Sequence, residues 1–122
     1  MLHGARILIV DDDPVVRGLY AFVLRDAGAT VVSSGLATEA LGLMDLQEPD
    51  AVVTDLQMPE RNGIWLLGQI KQRLPSLPVI AVSGHLDGSN LADVHRLGFA
   101  AILRKPVGLS ELTSAVARVV GH

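Results

Sequence analysis

Carboxylates follow two of the apolar runs in this sequence. The run "ILIV" leads directly into Asp11, Asp12 and Asp13, and the run "AVVT" leads into Asp55. Three adjacent like charges repel one another, so something must offset the repulsion. A bound cation would do so, because carboxylate oxygens are the hard ligands that Mg²⁺ prefers. The acidic triplet therefore predicts a polar turn, a helix cap or a metal site.

Two later apolar runs end in groups that suit phosphoryl chemistry. Ser83 and Gly84 follow "VIAV", and Lys105 follows "AILR". Asp11, Asp12 and Asp55 together carry a charge of −3, and Lys105 brings the sum to −2. One divalent cation would cancel this charge. A carboxylate can attack phosphorus when a metal and an ammonium group absorb charge on the transferring oxygens.

The fold must bring these residues together. Short β-branched runs predict strands at 6–10, 29–34, 51–55, 78–83 and 100–104. The segments between and after them carry apolar residues at spacings of three and four, which predicts five helices. In chain order, the positions that mark these helices are Val16, Leu19, Val23, Leu24 and Ala27; Ala40, Leu41 and Met44; Ile64, Leu67 and Ile70; Leu91, Val94 and Leu97; and Leu109, Leu112, Val116 and Val119.

Strict alternation of strand and helix favours an α/β, doubly wound fold with a parallel sheet covered on both faces. Such sheets bind ligands beyond the carboxyl ends of their strands. We therefore expect the polar groups after strands one, three, four and five to share one edge. There Asp55 is the candidate nucleophile because it stands alone on the middle strand. Asp11 and Asp12 would bind metal, and the Ser83 hydroxyl and Gly84 N–H would donate to phosphoryl oxygens.

Asp13 has a different predicted role. Because Pro14 follows it, Asp13 matches the residue that caps a helix whose first position is proline. Gly28 then marks the end of the same helix.

The composition excludes several classes of protein. A chain of 122 residues fits a single domain, 1–122, and we expect no output domain to follow it. A net charge of −3 without a basic block disfavours nucleic-acid binding. The absence of cysteine excludes thiol catalysis and disulfides. With neither a signal peptide nor an apolar run long enough to span a membrane, a cytoplasmic protein without a membrane partner is expected.

Four motifs taken in order resemble those of a two-component response-regulator receiver domain of the CheY-like, stand-alone type. They are "VDDD", "VVTDLQMPERNG", "AVSG" and "RKP", and together they span nearly the whole chain. The resemblance implies a flavodoxin-like (βα)5 fold with strand order 2-1-3-4-5. It also implies that Asp55 accepts a phosphoryl group from a histidine kinase or a histidine phosphotransfer domain.

The same resemblance implies a role for each site residue. Mg²⁺ or Mn²⁺ would be held by Asp12, Asp55 and the backbone carbonyl of Gln57, with Asp11 contributing mainly through water. Lys105 would contact the phosphoryl group, and its bond to the following proline would be cis.

A receiver domain signals by switching conformation. By resemblance, Ser83 is the switch hydroxyl, and Ile102 occupies a strand-five position where receivers usually carry an aromatic residue. Gln57 and His85 occupy positions that influence the lifetime of the aspartyl phosphate. The signal would leave through protein contacts of helix four, strand five and helix five, with self-catalysed phosphotransfer and dephosphorylation in place of enzymatic turnover.

Several alternatives remain open at this stage. The chain could be a pseudo-receiver scaffold that is never phosphorylated. It could also be an aspartyl-phosphate phosphatase, although Gln57 stands where such enzymes place their second acid. Trp65 is expected either to face a partner or to be half-buried. On helix one, Val15, Gly18 and Ala21 would offer a small-residue face to a phosphotransfer partner.

Overall fold

The computed structural model describes residues 1–86 and 90–121, and these residues alternate between strand and helix as predicted. The elements are β1 (Arg6–Val10), α1 (Pro14–Asp26), β2 (Thr30–Ser34), α2 (Ala37–Leu46), β3 (Ala51–Asp55), α3 (Gly63–Arg73), β4 (Val79–Ser83), α4 (Leu91–His95), β5 (Ala101–Arg104) and α5 (Leu109–Val119). Strands β2, β4 and β5 each begin one residue later than predicted. Helix α4 is also shorter than its apolar pattern indicated.

The five strands form one parallel sheet in the order β2-β1-β3-β4-β5, which confirms the predicted flavodoxin-like fold. Val10 at the end of β1 pairs with Ser34 of β2 and with Thr54 of β3. Asp55 pairs with Val82, and Ser83 pairs with Arg104. Because of this register, the carboxyl ends of β1, β3, β4 and β5 lie at one edge of the sheet.

Two apolar clusters cover the two faces of the sheet. All five residues of β3 and of β4 are buried, as expected for central strands with helices on both sides. Helices α1 and α5 pack on one face, where Leu24 and Leu112 are fully buried. Helices α2, α3 and α4 pack on the other face. No helix within the described ranges is both long and apolar enough to span a bilayer.

Some of the predicted helix positions face solvent. The exposed ones are Leu19 at 46%, Ile64 at 40%, Leu97 at 42% and Leu109 at 43%. In α1 the buried residues are Tyr20, Ala21 and Leu24, and in α3 Leu66 joins Leu67 and Ile70. The reason is geometric: neighbouring helical residues differ by about 100°, so an apolar residue one position away selects a different face.

Local signals set the ends of α1 as predicted. The Asp13 side chain accepts hydrogen bonds from the backbone N–H groups of Val15, at 2.9 Å, and Val16, at 3.4 Å. Pro14 is the first residue of the helix. Gly28, just beyond the helix, has a φ of 105°, a conformation that favours glycine.

The loop between β3 and α3 is joined to Trp65 by a cation–π contact. The guanidinium of Arg61 lies 5.2 Å from the centre of the indole ring. Trp65 itself is half-buried and packs against the cluster on the α2–α3–α4 face, which agrees with the second of its two predicted placements.

Candidate functional site

The three predicted acidic residues meet at the carboxyl edge of the sheet. Carboxylate oxygens of Asp11, Asp12 and Asp55 lie within 4.8 Å of one another. Asp11 is 1% exposed and Asp55 is 6% exposed, whereas Asp12 faces solvent. The cluster is therefore buried at its base and open on the side of Asp12.

Lys105 joins the two buried carboxylates. Its Nζ lies 3.0 Å from Oδ2 of Asp55 and 3.3 Å from Oδ2 of Asp11. Its backbone N–H donates to the carbonyl of Ser83 across 3.0 Å, which fixes the end of β5 against the end of β4. The bond to Pro106 is cis, as the resemblance implied. The bridge to Asp11 was not predicted from the sequence.

The electrostatics of the site reflect burial and pairing. Burial raises the pKa of Asp11 above its usual value of 3.8, although the Asp13 N–H and Lys105 act in the opposite direction. Burial lowers the pKa of Lys105, but the hydrogen bond to Asp55 and the charges of both carboxylates outweigh it, so its pKa is raised overall. The lysine is therefore charged at neutral pH.

Backbone donors orient the buried carboxylates. Oδ1 of Asp11 accepts from the N–H of Asp13 at 2.9 Å, and Oδ1 of Asp55 accepts from the N–H of Gln57 at 3.0 Å. Each buried carboxylate thus has one oxygen on the backbone and the other on Lys105. The same hydrogen bond places Gln57 immediately beside the cluster.

The other predicted residues lie along the same edge. The Ser83 side chain is 1% exposed, and its Oγ accepts from the N–H of His85 at 3.1 Å. Gly84 is exposed next to Lys105. Ile102 pairs with Ala81 and is half-buried against the cluster on the α2–α3–α4 face.

The sequence reasoning missed two residues of α1. Nη1 of Arg17 donates to the backbone carbonyl of Asp11 at 2.7 Å. Burial raises the pKa of Tyr20; the charge of Lys105 lowers it, and those of Asp11 and Asp55 raise it further. Helical side chains lean toward the helix N-terminus, so residues one to two turns after the cap could have been expected to reach back to the site.

The family model described as response regulator receiver domain matches residues 7–117. The chain belongs to this family. Receiver domains bind Mg²⁺ at a cluster of aspartates, take phosphoryl groups from histidine kinases and signal to downstream effectors.

Three similar proteins illustrate how far the likeness extends. The DNA-binding transcriptional regulator NtrC of Salmonella typhimurium is 34% identical over 116 residues, which cover 95% of this receiver domain but 25% of NtrC. A 14.6 kDa protein from the sodA1 3' region of Leptolyngbya boryana is 40% identical over 113 residues, covering 90% and 86%. A solved receiver domain protein from Clostridium thermocellum has a TM-score of 0.88 at 31% identity, covering 96% and 94%. The chain therefore matches about a quarter of the length of NtrC. The DNA binding named for NtrC is said of that protein.

The donor set of this receiver domain fits a hard divalent cation. Every side-chain donor in the cluster is a carboxylate oxygen, and the exposed Asp12 leaves a route from solvent. With Lys105 included, the cluster carries −2, which matches the charge of one such ion.

Proposed function

We propose that this receiver domain accepts a phosphoryl group on Asp55 from a histidine kinase or a histidine phosphotransfer domain in the presence of Mg²⁺. The observation that carries the proposal is the arrangement of Lys105, which bridges the buried Asp55 and Asp11 beside the exposed Asp12. This arrangement unites a nucleophile, a charge-neutralising ammonium group and metal ligands at one sheet edge.

The proposed transfer exchanges one bond to phosphorus for another. A carboxylate oxygen of Asp55 forms a new bond to phosphorus while the bond between phosphorus and the donor's imidazole nitrogen breaks, and that nitrogen keeps the electron pair. The Lys105 ammonium then stabilises negative charge on the phosphoryl oxygens. The Ser83 hydroxyl and the Gly84 N–H donate to the same oxygens.

Asp12, Asp55 and the Gln57 carbonyl would hold the Mg²⁺ or Mn²⁺ ion, and Asp11 would contribute through water. When bound, the cation neutralises charge on the transferring oxygens. Asp12 suits this role because its exposed side chain is free to turn toward an arriving cation.

Phosphorylation is proposed to act through Ser83 and Ile102. Ser83 is buried at the end of β4, which lies between the strand of Asp55 and the strand of the half-buried Ile102, and a shift of the hydroxyl toward the phosphoryl group would be followed by repacking of Ile102. The response would appear on the α4–β5–α5 face, which contacts downstream proteins. Gln57 and His85 flank the acceptor and the switch hydroxyl, and we assign them an effect on phosphate lifetime.

The proposed docking face for the phosphoryl donor lies on α1. Of the three residues predicted for it, Ala21 is wrong, because it is 5% exposed and packs in the core. Val15, Leu19 and Phe22 are 77%, 46% and 69% exposed, and their spacing places them on one side of the helix. This stripe starts one turn from the acidic cluster, which suits a helical partner that must deliver a phosphoryl group there.

The test is incubation with Mg²⁺ and acetyl phosphate, followed by intact-mass measurement. We expect one added phosphoryl group on the wild-type protein and on Asp26→Asn, a control that removes an exposed carboxylate at the far end of α1. We expect no addition on Asp55→Asn. If the wild type gains no phosphoryl group from acetyl phosphate or from a competent kinase and releases no phosphate, the pseudo-receiver is correct. Rapid continuous release of phosphate with no adduct would support the phosphatase.

A further inference from the structure

The guanidinium of Arg17 lies between the end of β1 and the loop that follows β2. Its Nη1 donates to the carbonyl of Asp11 across 2.7 Å. That carbonyl belongs to the planar peptide unit that joins Asp11 to Asp12. The hydrogen bond therefore restrains the orientation of this peptide and, through it, the position of the Asp12 side chain. Hydrogen bonds from charged donors are roughly twice as strong as neutral ones.

Every polar group of Asp11 has a partner, and Arg17 supplies one of them. The backbone N–H donates to the carbonyl of Ser34 at 3.0 Å. The two carboxylate oxygens accept from the N–H of Asp13 and from Lys105. Arg17 satisfies the remaining carbonyl. Loss of the guanidinium would therefore leave the Asp11 carbonyl without this hydrogen bond, and the peptide between Asp11 and Asp12 could rotate.

Gly35 provides the space that Arg17 occupies. A Cβ at position 35 would lie 2.9 Å from Nη1 of Arg17 and 3.9 Å from the Asp11 carbonyl oxygen. The loop is held in place because the Ser34 carbonyl binds the N–H of Asp11 and the Ser34 hydroxyl donates to Glu39 at 2.6 Å. An added methyl group would consequently displace the guanidinium, which is the far end of a flexible side chain, and leave the loop where it is.

We propose that Arg17 is a positioning residue for the metal ligands, and that Gly35 is needed because a side chain there would displace it. This inference rests on the proposed function, since it assigns Arg17 to the metal site of the phosphoacceptor. Arg17 acts through the peptide between Asp11 and Asp12. If Arg17 acted only through its charge, removing it would strengthen Mg²⁺ binding, because a cation beside three carboxylates repels the metal. A positioning role predicts weaker binding instead.

Calorimetric titration with Mg²⁺ tests the proposal on the intact chain. We expect Arg17→Met, which keeps the length but loses the donor, to weaken Mg²⁺ binding roughly tenfold. Gly35→Ala keeps the charge of Arg17 but displaces its guanidinium, so it should also weaken Mg²⁺ binding. The double variant should be no weaker than Arg17→Met alone, because both changes remove the same hydrogen bond.

The matched control is Gly42→Ala, at an exposed glycine of α2, the helix that follows the Gly35 loop. Its added methyl group meets no atom within 4 Å, so Mg²⁺ affinity should stay at the wild-type value. As a second readout, excess Mg²⁺ should restore the phosphorylation rate of Arg17→Met. A folded variant whose defect lies away from the metal ligands would bind Mg²⁺ with normal affinity and gain nothing from the excess. Thermal melting of each variant checks that it is folded.

Two results would overturn the inference. One is unchanged or tighter Mg²⁺ binding by folded Arg17→Met, and the other is additive losses in the double variant. Either result, with normal phosphorylation of the wild type, would remove the role of Arg17 and leave the proposed function standing. A wild-type protein that binds Mg²⁺ but never accepts a phosphoryl group would instead overturn the proposed function.

Discussion

Three adjacent aspartates have three different environments. Asp11 is buried and paired with Lys105, Asp12 is exposed at the mouth of the cluster, and Asp13 caps α1. Burial and hydrogen-bond partners separate residues that are chemically identical in the sequence. The cap could be predicted because proline follows it. The ion pair of Asp11 could not, because Lys105 is 94 positions away in the chain.

The division between Asp12 and Asp13 gives the first prediction. Asp12→Ala removes a proposed metal ligand and should abolish Mg²⁺-dependent phosphorylation, measured as the mass adduct formed with acetyl phosphate. Asp13→Asn keeps a capping oxygen and should leave the adduct nearly intact. Asp13→Ala should lower the free energy of unfolding by about 1 kcal/mol while phosphorylation persists. Equal losses of phosphorylation in Asp12→Ala and Asp13→Asn would contradict this division.

The elements were predictable where one kind of signal dominated. β-Branched runs located all five strands to within one residue at each start, because buried parallel strands are apolar on both faces. The helix faces were less predictable. In α3, Ile64 and Leu66 are both apolar, and only Leu66 joins the buried cluster on the α2–α3–α4 face. The hydrogen bond from Arg17 to the Asp11 carbonyl was also not predictable from periodicity, because a single polar contact produces no repeating pattern.

The start of α3 gives a prediction at the scale of the element. A Cβ on Gly63 would overlap the backbone carbonyl of Asp55 and lie 3.1 Å from the Cα of Leu56, so the end of β3 would have to shift. Gly63→Ala should lower the free energy of unfolding by roughly 1–3 kcal/mol. It should also slow phosphorylation of Asp55.

Gly68→Ala, on the exposed side of the same helix, is the control. Its methyl group meets no atom within 4 Å, and alanine favours helix, so the free energy of unfolding should rise by about 1 kcal/mol. Urea denaturation measures both values. A destabilised Gly68→Ala, or an unaffected Gly63→Ala, would show that close packing does not explain the glycine at 63.

At the scale of the whole molecule, metal binding and folding are linked. The proposed metal ligands follow β1 and end β3, so they lie together only in the folded chain. A cation that binds this cluster therefore stabilises the fold, by about 2.7 kcal/mol at a concentration one hundred times its Kd.

Mg²⁺ should accordingly raise the melting temperature of the wild-type protein in calorimetry, and a chelator should reverse the effect. Asp12→Ala should show little response to the same concentrations. Na⁺ at matched ionic strength controls for screening. A rise of equal size in Asp12→Ala would place the binding site elsewhere.

The stacking of Arg61 on Trp65 offers an intrinsic fluorescence signal. Trp65 is the one tryptophan of the sequence, and the loop that carries Arg61 also carries Gln57, whose N–H donates to the carboxylate of Asp55. Because this loop connects Asp55 to Arg61, we expect a cation or phosphoryl group at Asp55 to change the distance between guanidinium and indole. Intrinsic emission can therefore follow cation and phosphoryl binding in real time, with no label attached.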